Sequence, residues 1–184
     1  LFSVALVTYG LTVEPTASYW DAGEYISTSA KLQVGHPPGA PFFQMMGAVF
    51  SMFASNNESI AIAVNFLSVV SSAFVILFLF WSTTLLLKKI SKKNNFKNDT
   101  NILLSSSIGA LAFTFSDSFW FNAVETEVYA LAMLFLSATF WCGLRWEKDF
   151  DNKRGDKWLL LICFLIGLSF GVHFMAILTI PAIG

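Results

Sequence analysis

The stretch 59-SIAIAVNFLSVVSSAFVILFLFWSTTLLL-87 runs without a charged side chain and is followed at once by Lys88 and Lys89. A helix needs roughly 20 predominantly apolar residues to cross a hydrocarbon core, so this run reads as a membrane span. Its flank sets the orientation, because Lys and Arg gather in cytoplasmic loops. Lys88, Lys89, Lys92, Lys93 and Lys97 crowd one loop, and Arg145, Lys148, Lys153, Arg154 and Lys157 crowd another. Both loops are expected in the cytoplasm, which leaves the segment from Glu14 to Glu58 on the outer side.

Composition agrees with a lipid solvent. Of 184 residues, 55% are hydrophobic and only 12% charged, and the mean hydropathy is +0.64. The expected fold is an all-α, polytopic transmembrane protein with spans over 1–13, 59–87, 101–116, 123–146 and 158–180, and with an outer loop over 14–58. Pro41 to Ala54 is apolar, but as a helix it reaches only about 21 Å, short of a core of about 30 Å. A span there would also reverse the first helix, so it is expected to lie at the interface or to re-enter. The chain starts inside an apolar run and reads as part of something longer. Every cluster of basic residues is explained by topology, which leaves no footprint for nucleic acid. Cys142 and Cys163 sit in apolar runs as small hydrophobes. No Cys/His metal spacing occurs, so neither a metal nor a cofactor is expected.

The outer loop contains 18-SYWDAGEYISTSAKLQVGHPPGAP-41, two acids inside an oily chain. Ser18 suits a helix N-cap with Asp21 three residues on, and Gly35 with Pro37 and Pro38 stops the helix near Val34. Asp21, Glu24, Thr28 and Lys31 then share one polar stripe. Asp21 is either a helix-terminus acid complementing the dipole or a general base at the membrane surface, where partial desolvation raises a carboxyl pKa. Glu24 either joins it on the same acceptor or is a solvated surface acid. His36 is either an exposed turn residue or a donor to a lipid phosphate.

The second outer loop reads 122-NAVETEVYA-130. Asn122 and Glu125 fit a capping box, whereas Glu127, about 200° further round a helix, is an acid just inside a span. Such an acid is costly unless it faces a cavity or a partner, so Glu127 is the better functional candidate. His173 lies toward the outer half of the fifth span, either satisfied by a neighbouring helix or bonded to a substrate. Trp20, Tyr25, Trp120 and Tyr129 fit an aromatic belt.

These motifs together, "TVEPTASYWDAGEYISTSAKLQVGHPPGAPFF", "FWFNAVETEVYAL" and "GLSFGVHFM", resemble the bacterial protein O-mannosyltransferase-like membrane family of the type C (GT-C) glycosyltransferases. The resemblance implies a GT-C-like N-terminal module with juxtamembrane helices in the first outer loop. It further implies an enzyme that moves a sugar, mannose, from a polyprenyl-phosphate donor to a protein hydroxyl. Asp21 maps to the catalytic base and Glu24 to its partner. Lys31, His36, Glu127 and His173 are the candidates for substrate binding. The partners are then the lipid-linked sugar, a protein acceptor and membrane lipid. The expected location is a bacterial inner membrane with the site facing the periplasm. A leaving phosphate needs cationic support, so further basic residues are expected beyond Gly184 and this segment by itself is expected to be inactive. The rival readings are a transporter with an ion path through Asp21, Glu127 and His173, and a non-catalytic subunit that retains the fold.

Overall fold

The structure is a computed structural model that describes residues 1–93, 98–151 and 155–183. Lys97, Lys153, Arg154 and Gly184 lie outside the described residues. The secondary structure found there is helical: α1 (Phe2–Leu11), α2 (Ala22–Lys31), α3 (Pro41–Ser51), α4 (Ile60–Lys93), α5 (Asp99–Thr114), α6 (Asp117–Val124), α7 (Val128–Asp149), α8 (Gly155–Ser169) and α9 (Ile180–Ile183), with short 3-10 turns at Asn57–Ser59 and Phe174–Thr179.

α4 is the axis of the fold and packs against α1, α3, α5, α6 and α7. Its buried face carries small residues, Ser68, Ser71, Ser72 and Ala73, which let neighbouring backbones approach closely, as in helix packing within lipid. Two helical segments, Asn57–Lys93 and Val128–Asp149, are long and apolar enough to cross a membrane, and α5 with α6 forms a pair bent by 66°. Among the described residues the secondary structure is thus all-helical, with two candidate spans, or three if the bent pair counts as one. One apolar cluster, including Tyr25, Phe43, Leu67, Leu131 and Phe135, supports the end of the bundle where α2 and α3 sit. A second, including Tyr9, Val69, Ile76 and Phe119, joins α1, α4 and α6.

Four boundaries differ from the sequence expectation. The 59–87 run continues as helix to Lys93, since lysine is a good helix former and its charge suits a C-terminal turn. The 123–146 helix begins only at Val128, because residues 125–127 are extended and hold contacts described below. The 158–180 stretch is not one helix. α8 ends at Ser169, and a turn through Gly171 follows, with Val172 and His173 N–H groups both bonded to Ser169 O at 2.9 and 2.8 Å. Beyond it the chain runs back beside α7, where Ala182 shares a groove with Phe140 and Trp146. Gly171 is required at this turn: its carbonyl accepts the Phe42 N–H at 2.7 Å, and a Cβ there would lie 2.7 Å from the Phe42 Cβ.

The fourth difference concerns α2. It starts at Ala22 rather than Ser18, with Trp20 in the left-handed region at φ 60°, so Ser18 caps nothing. Asp21 occupies the N-cap position but its side chain makes no cap bond. α3 packs its Phe43, Gln44 and Gly47 face inward and leaves Met45, Met52 and Phe53 largely exposed.

Candidate functional site

The site grows from the way α4 fastens two loops together. Asn65, buried in the middle of an apolar run, donates from Nδ2 to Glu14 O at 2.6 Å and Thr16 O at 3.0 Å, while its Oδ1 accepts the Thr126 hydroxyl. The Glu14 N–H also reaches Val124 O at 2.9 Å. The segment leading to Asp21 and the α6–α7 linker are therefore registered on one side chain. Across that register, the backbone N–H groups of Asp21 and Val128 face the Glu127 carboxylate and favour its ionised form.

Sequence reasoning assigned Asn122 and Glu125 to a capping box, and the structure corrects this. Asn122 Nδ2 donates to Ser118 O within α6 at 2.9 Å, and Glu125 is extended at φ −127°, ψ 162°. Glu125 and Glu127 flank one residue of extended chain, where positions i and i+2 share a face. The expected separation round a helix does not occur, and both acids are buried, at 4% and 8% exposure. Burial, then the neighbouring charges of Asp21 and Glu125, push the Glu127 carboxyl up from 4.5 to about 6.

Glu24 is committed to His36. Its Oε1 accepts the His36 backbone N–H at 2.6 Å and its Oε2 accepts from Nδ1 at 3.0 Å. Gly35 makes this approach possible, since a Cβ at that position would lie 2.9 Å from Glu24 Oε1 and 2.9 Å from Gln44 Nε2. The hydrogen bonds from His36 hold Glu24 below the usual carboxylate range, and the bond to Glu24 raises the His36 imidazole in turn. The far ring nitrogen, Nε2, is 3.9 Å from Asp21 Oδ2. Among the described residues Asp21 accepts no hydrogen bond on its carboxylate, and its side chain is 54% exposed.

Asp21, Glu24, His36 and Glu127 thus come together at one place in the structure. Lys31 does not join them: it stands at the other end of α2, about 15 Å along the axis from Asp21 at 1.5 Å per residue. The polar stripe between them faces protein rather than water, because Thr28 is buried and its hydroxyl accepts from Gln44 Nε2 at 3.1 Å. His173 sits beside Tyr129, ring centroids 5.7 Å apart, with a buried Nδ1 that has no hydrogen-bond partner among the described residues. Tyr25 was assigned to an aromatic belt. It instead lies in the core, and burial followed by the charges of Glu127, Asp21 and Glu24 raises its phenol. Asn65 was also missed, although an amide inside an otherwise apolar span is itself a functional signal.

One ligand atom each from Asp21, Glu24 and His36 lies within 4.8 Å of the others. That spacing admits a divalent cation, which the sequence did not suggest.

A helical membrane protein with a cluster of acids and a histidine where a loop meets two candidate spans defines the class. Within that class, residues 21–184 match the family described as Protein O-mannosyl-transferase TMEM260 N-terminal domain, and the chain belongs to this family. It is 29% identical over 157 residues to Protein O-mannosyl-transferase tmem260 of Dictyostelium discoideum, covering 84% of this chain and 18% of that protein. It is 25% identical over 170 residues to Protein O-mannosyl-transferase TMEM260 of Mus musculus, covering 92% of this chain and 22% of that protein. The chain therefore spans about a fifth of the length of these curated relatives. No solved structure gives a significant match.

Proposed function

We propose that the full-length protein is a GT-C-type, multi-pass glycosyltransferase that moves mannose from a polyprenyl-phosphate donor to a hydroxyl of a protein acceptor at the outer membrane face. The names of the relatives support the transferred sugar and the kind of acceptor. The observation that carries the reading is the open carboxylate of Asp21. Of the acids in the cluster, Glu24 is bonded to His36 and Glu127 is buried, while the Asp21 carboxylate, 3.9 Å from His36 Nε2 and 54% exposed, accepts no hydrogen bond among the described residues.

In this reading the acceptor oxygen attacks the anomeric carbon as Asp21 takes the hydroxyl proton. The bond from that carbon to the phosphate oxygen breaks, and the lipid phosphate leaves with the bonding pair. His36, favoured in its protonated form by Glu24, supplies positive charge beside Asp21 for the phosphate. Glu127 positions Asp21 through its backbone, and His173 offers an unpaired ring nitrogen to donor or acceptor. Lys31 serves at most the rim of the site. The resemblance to the bacterial branch supports a periplasmic setting on an inner membrane.

The test is a sugar-transfer assay on the full-length protein with a polyprenyl-phospho-mannose donor. Asp21→Asn should lower kcat by about 10²- to 10⁴-fold, the usual contribution of a positioned general base. Unchanged turnover would remove Asp21 from the chemistry. Labelling of cysteines placed at 31 and 93 tests the topology, with position 31 reactive from outside and position 93 protected.

A further inference from the structure

At the end of the bundle opposite the acids, a groove of about 380 Å³ opens between the C-terminal turns of α4 and α7. Its apolar wall is made by Leu85, Leu86 and Leu144, and its charged wall by Lys88, Lys89, Lys92 and Lys148 with Glu147. Lys89 is ion-paired to Glu147 across the groove, which ties α4 to α7. The other three lysines have no carboxylate within ion-pair distance among the described residues, so the groove presents three uncompensated cations.

We propose that this groove binds the headgroup of an anionic phospholipid, with the leucines receiving the start of its acyl chains. Depth places the groove in a headgroup layer. From Asn65, at the level of the acidic site, to Lys88 the helix rises about 35 Å, slightly more than a hydrocarbon core of about 30 Å. An occupant at that depth meets lipid first, and the half-apolar, half-cationic lining matches an amphiphile with a negative head. Basic pockets between membrane helices bind such headgroups. The C-terminal dipole of α4 opposes an anion by about half an elementary charge, too little to offset three lysines. The inference is independent of the transfer chemistry.

Full-length protein in neutral detergent is mixed with phosphatidylserine or phosphatidylcholine, and retained lipid is read by native mass spectrometry. Phosphatidylserine should be retained preferentially. Lys88→Gln with Lys92→Gln should weaken its retention about fivefold for each lysine removed. Lys93→Gln with Lys157→Gln removes the same charge from the same basic loops outside the groove and should leave retention unchanged. Glycerophosphoserine, the headgroup without acyl chains, should compete poorly. Equal retention of the two lipids, as when another part of the full chain fills the groove, overturns the proposal. So does equal loss in the two double variants, or full competition by the soluble headgroup. Matching thermal transitions of the two variants exclude unfolding as the cause of a difference.

Discussion

The buried carboxylate of Glu127 faces the backbone N–H of Asp21, so the N-cap residue of α7 meets the N-cap residue of α2. Burial of that carboxylate, which outweighs the N–H contact, has a pH signature. The Glu127 carboxyl is raised from 4.5 to about 6, so the folded protein binds its proton more tightly than the unfolded chain does. The stability it contributes is complete below about pH 4.5 and is lost as pH rises through about 6, a change of about 2 kcal/mol. Glu24, lowered, acts below that window, and His36, raised above 6.5, acts above it. Thermal unfolding of the full-length protein between these pH values should show a falling Tm, and Glu127→Gln should flatten it. An unchanged slope in the variant would assign the dependence elsewhere.

Glu24→Gln keeps an oxygen for the His36 backbone N–H but removes the charge that favours the imidazolium. The imidazole pKa then falls. If cationic His36 supports the departing phosphate, the alkaline limb of kcat/KM for mannosyl transfer should move to lower pH, with the acid limb little changed. A variant that lowers transfer equally at every pH would leave Glu24 with a purely structural part.

Asn65→Leu removes three hydrogen bonds at once and leaves Glu14 O, Thr16 O and the Thr126 hydroxyl without that partner. Each buried group so orphaned costs about 1–3 kcal/mol, reduced where the loops relax toward water. A total loss of about 3 kcal/mol is expected, together with weakened transfer, because the Asp21 and Glu127 segments lose their common anchor. Ser72→Ala, on the same helix, removes a buried hydroxyl that has no partner among the described residues and should not lower stability. Equal effects of the two changes on Tm would contradict the anchoring part of Asn65.

The central span, α4, was legible in the sequence because a long uncharged run ending in lysines admits one reading. The grouping of Asp21 with Glu24 followed from helical spacing, whereas the pairing of His36 with Glu24 did not follow from the turn that carries it. What could not be read was local geometry fixed by distant partners. Residues 125–127 look helical in isolation, yet Thr126 bonded to Asn65 holds them out of the helix. Likewise the apolar run after Trp158 carries no proline before Ile180 to mark a break. Its turn follows from Gly171 meeting the start of α3, a contact between residues far apart in the chain. Lys31 is a candidate as one of the few cationic groups on the outer side, on a stripe shared with Asp21, but a shared stripe says nothing about distance along the axis.

Gly171→Ala tests that turn. The added methyl would lie 2.7 Å from Phe42 Cβ, and the backbone N–H of Phe42 is 3.3 Å from the same point. Neither neighbour is the end of a flexible side chain, so α3 must shift, at a cost of about 1–3 kcal/mol for overpacking. Because α3 carries Gln44, which bonds Thr28 of α2, transfer should fall along with Tm. Gly167→Ala, where a Cβ inside α8 meets nothing within 4 Å, should leave transfer unchanged and raise Tm slightly.

The spacing of Asp21, Glu24 and His36 decides a last question, whether transfer needs a divalent ion. Their ligand atoms are close enough to share one, but His36 Nδ1 already donates to Glu24, and the raised imidazole pKa favours a proton on both ring nitrogens. A cation would have to displace that proton and break the bond to Glu24 before the histidine could offer a lone pair. The two carboxylates and that imidazole would then offer three ligand atoms, fewer than the six or more oxygens that calcium takes and, for magnesium, an attachment completed mainly by water. Transfer by the full-length protein should therefore persist in excess chelator, and added magnesium or manganese should not raise it. Loss of transfer in chelator with recovery on manganese would make the cluster a metal centre, and Asp21 a ligand rather than the base.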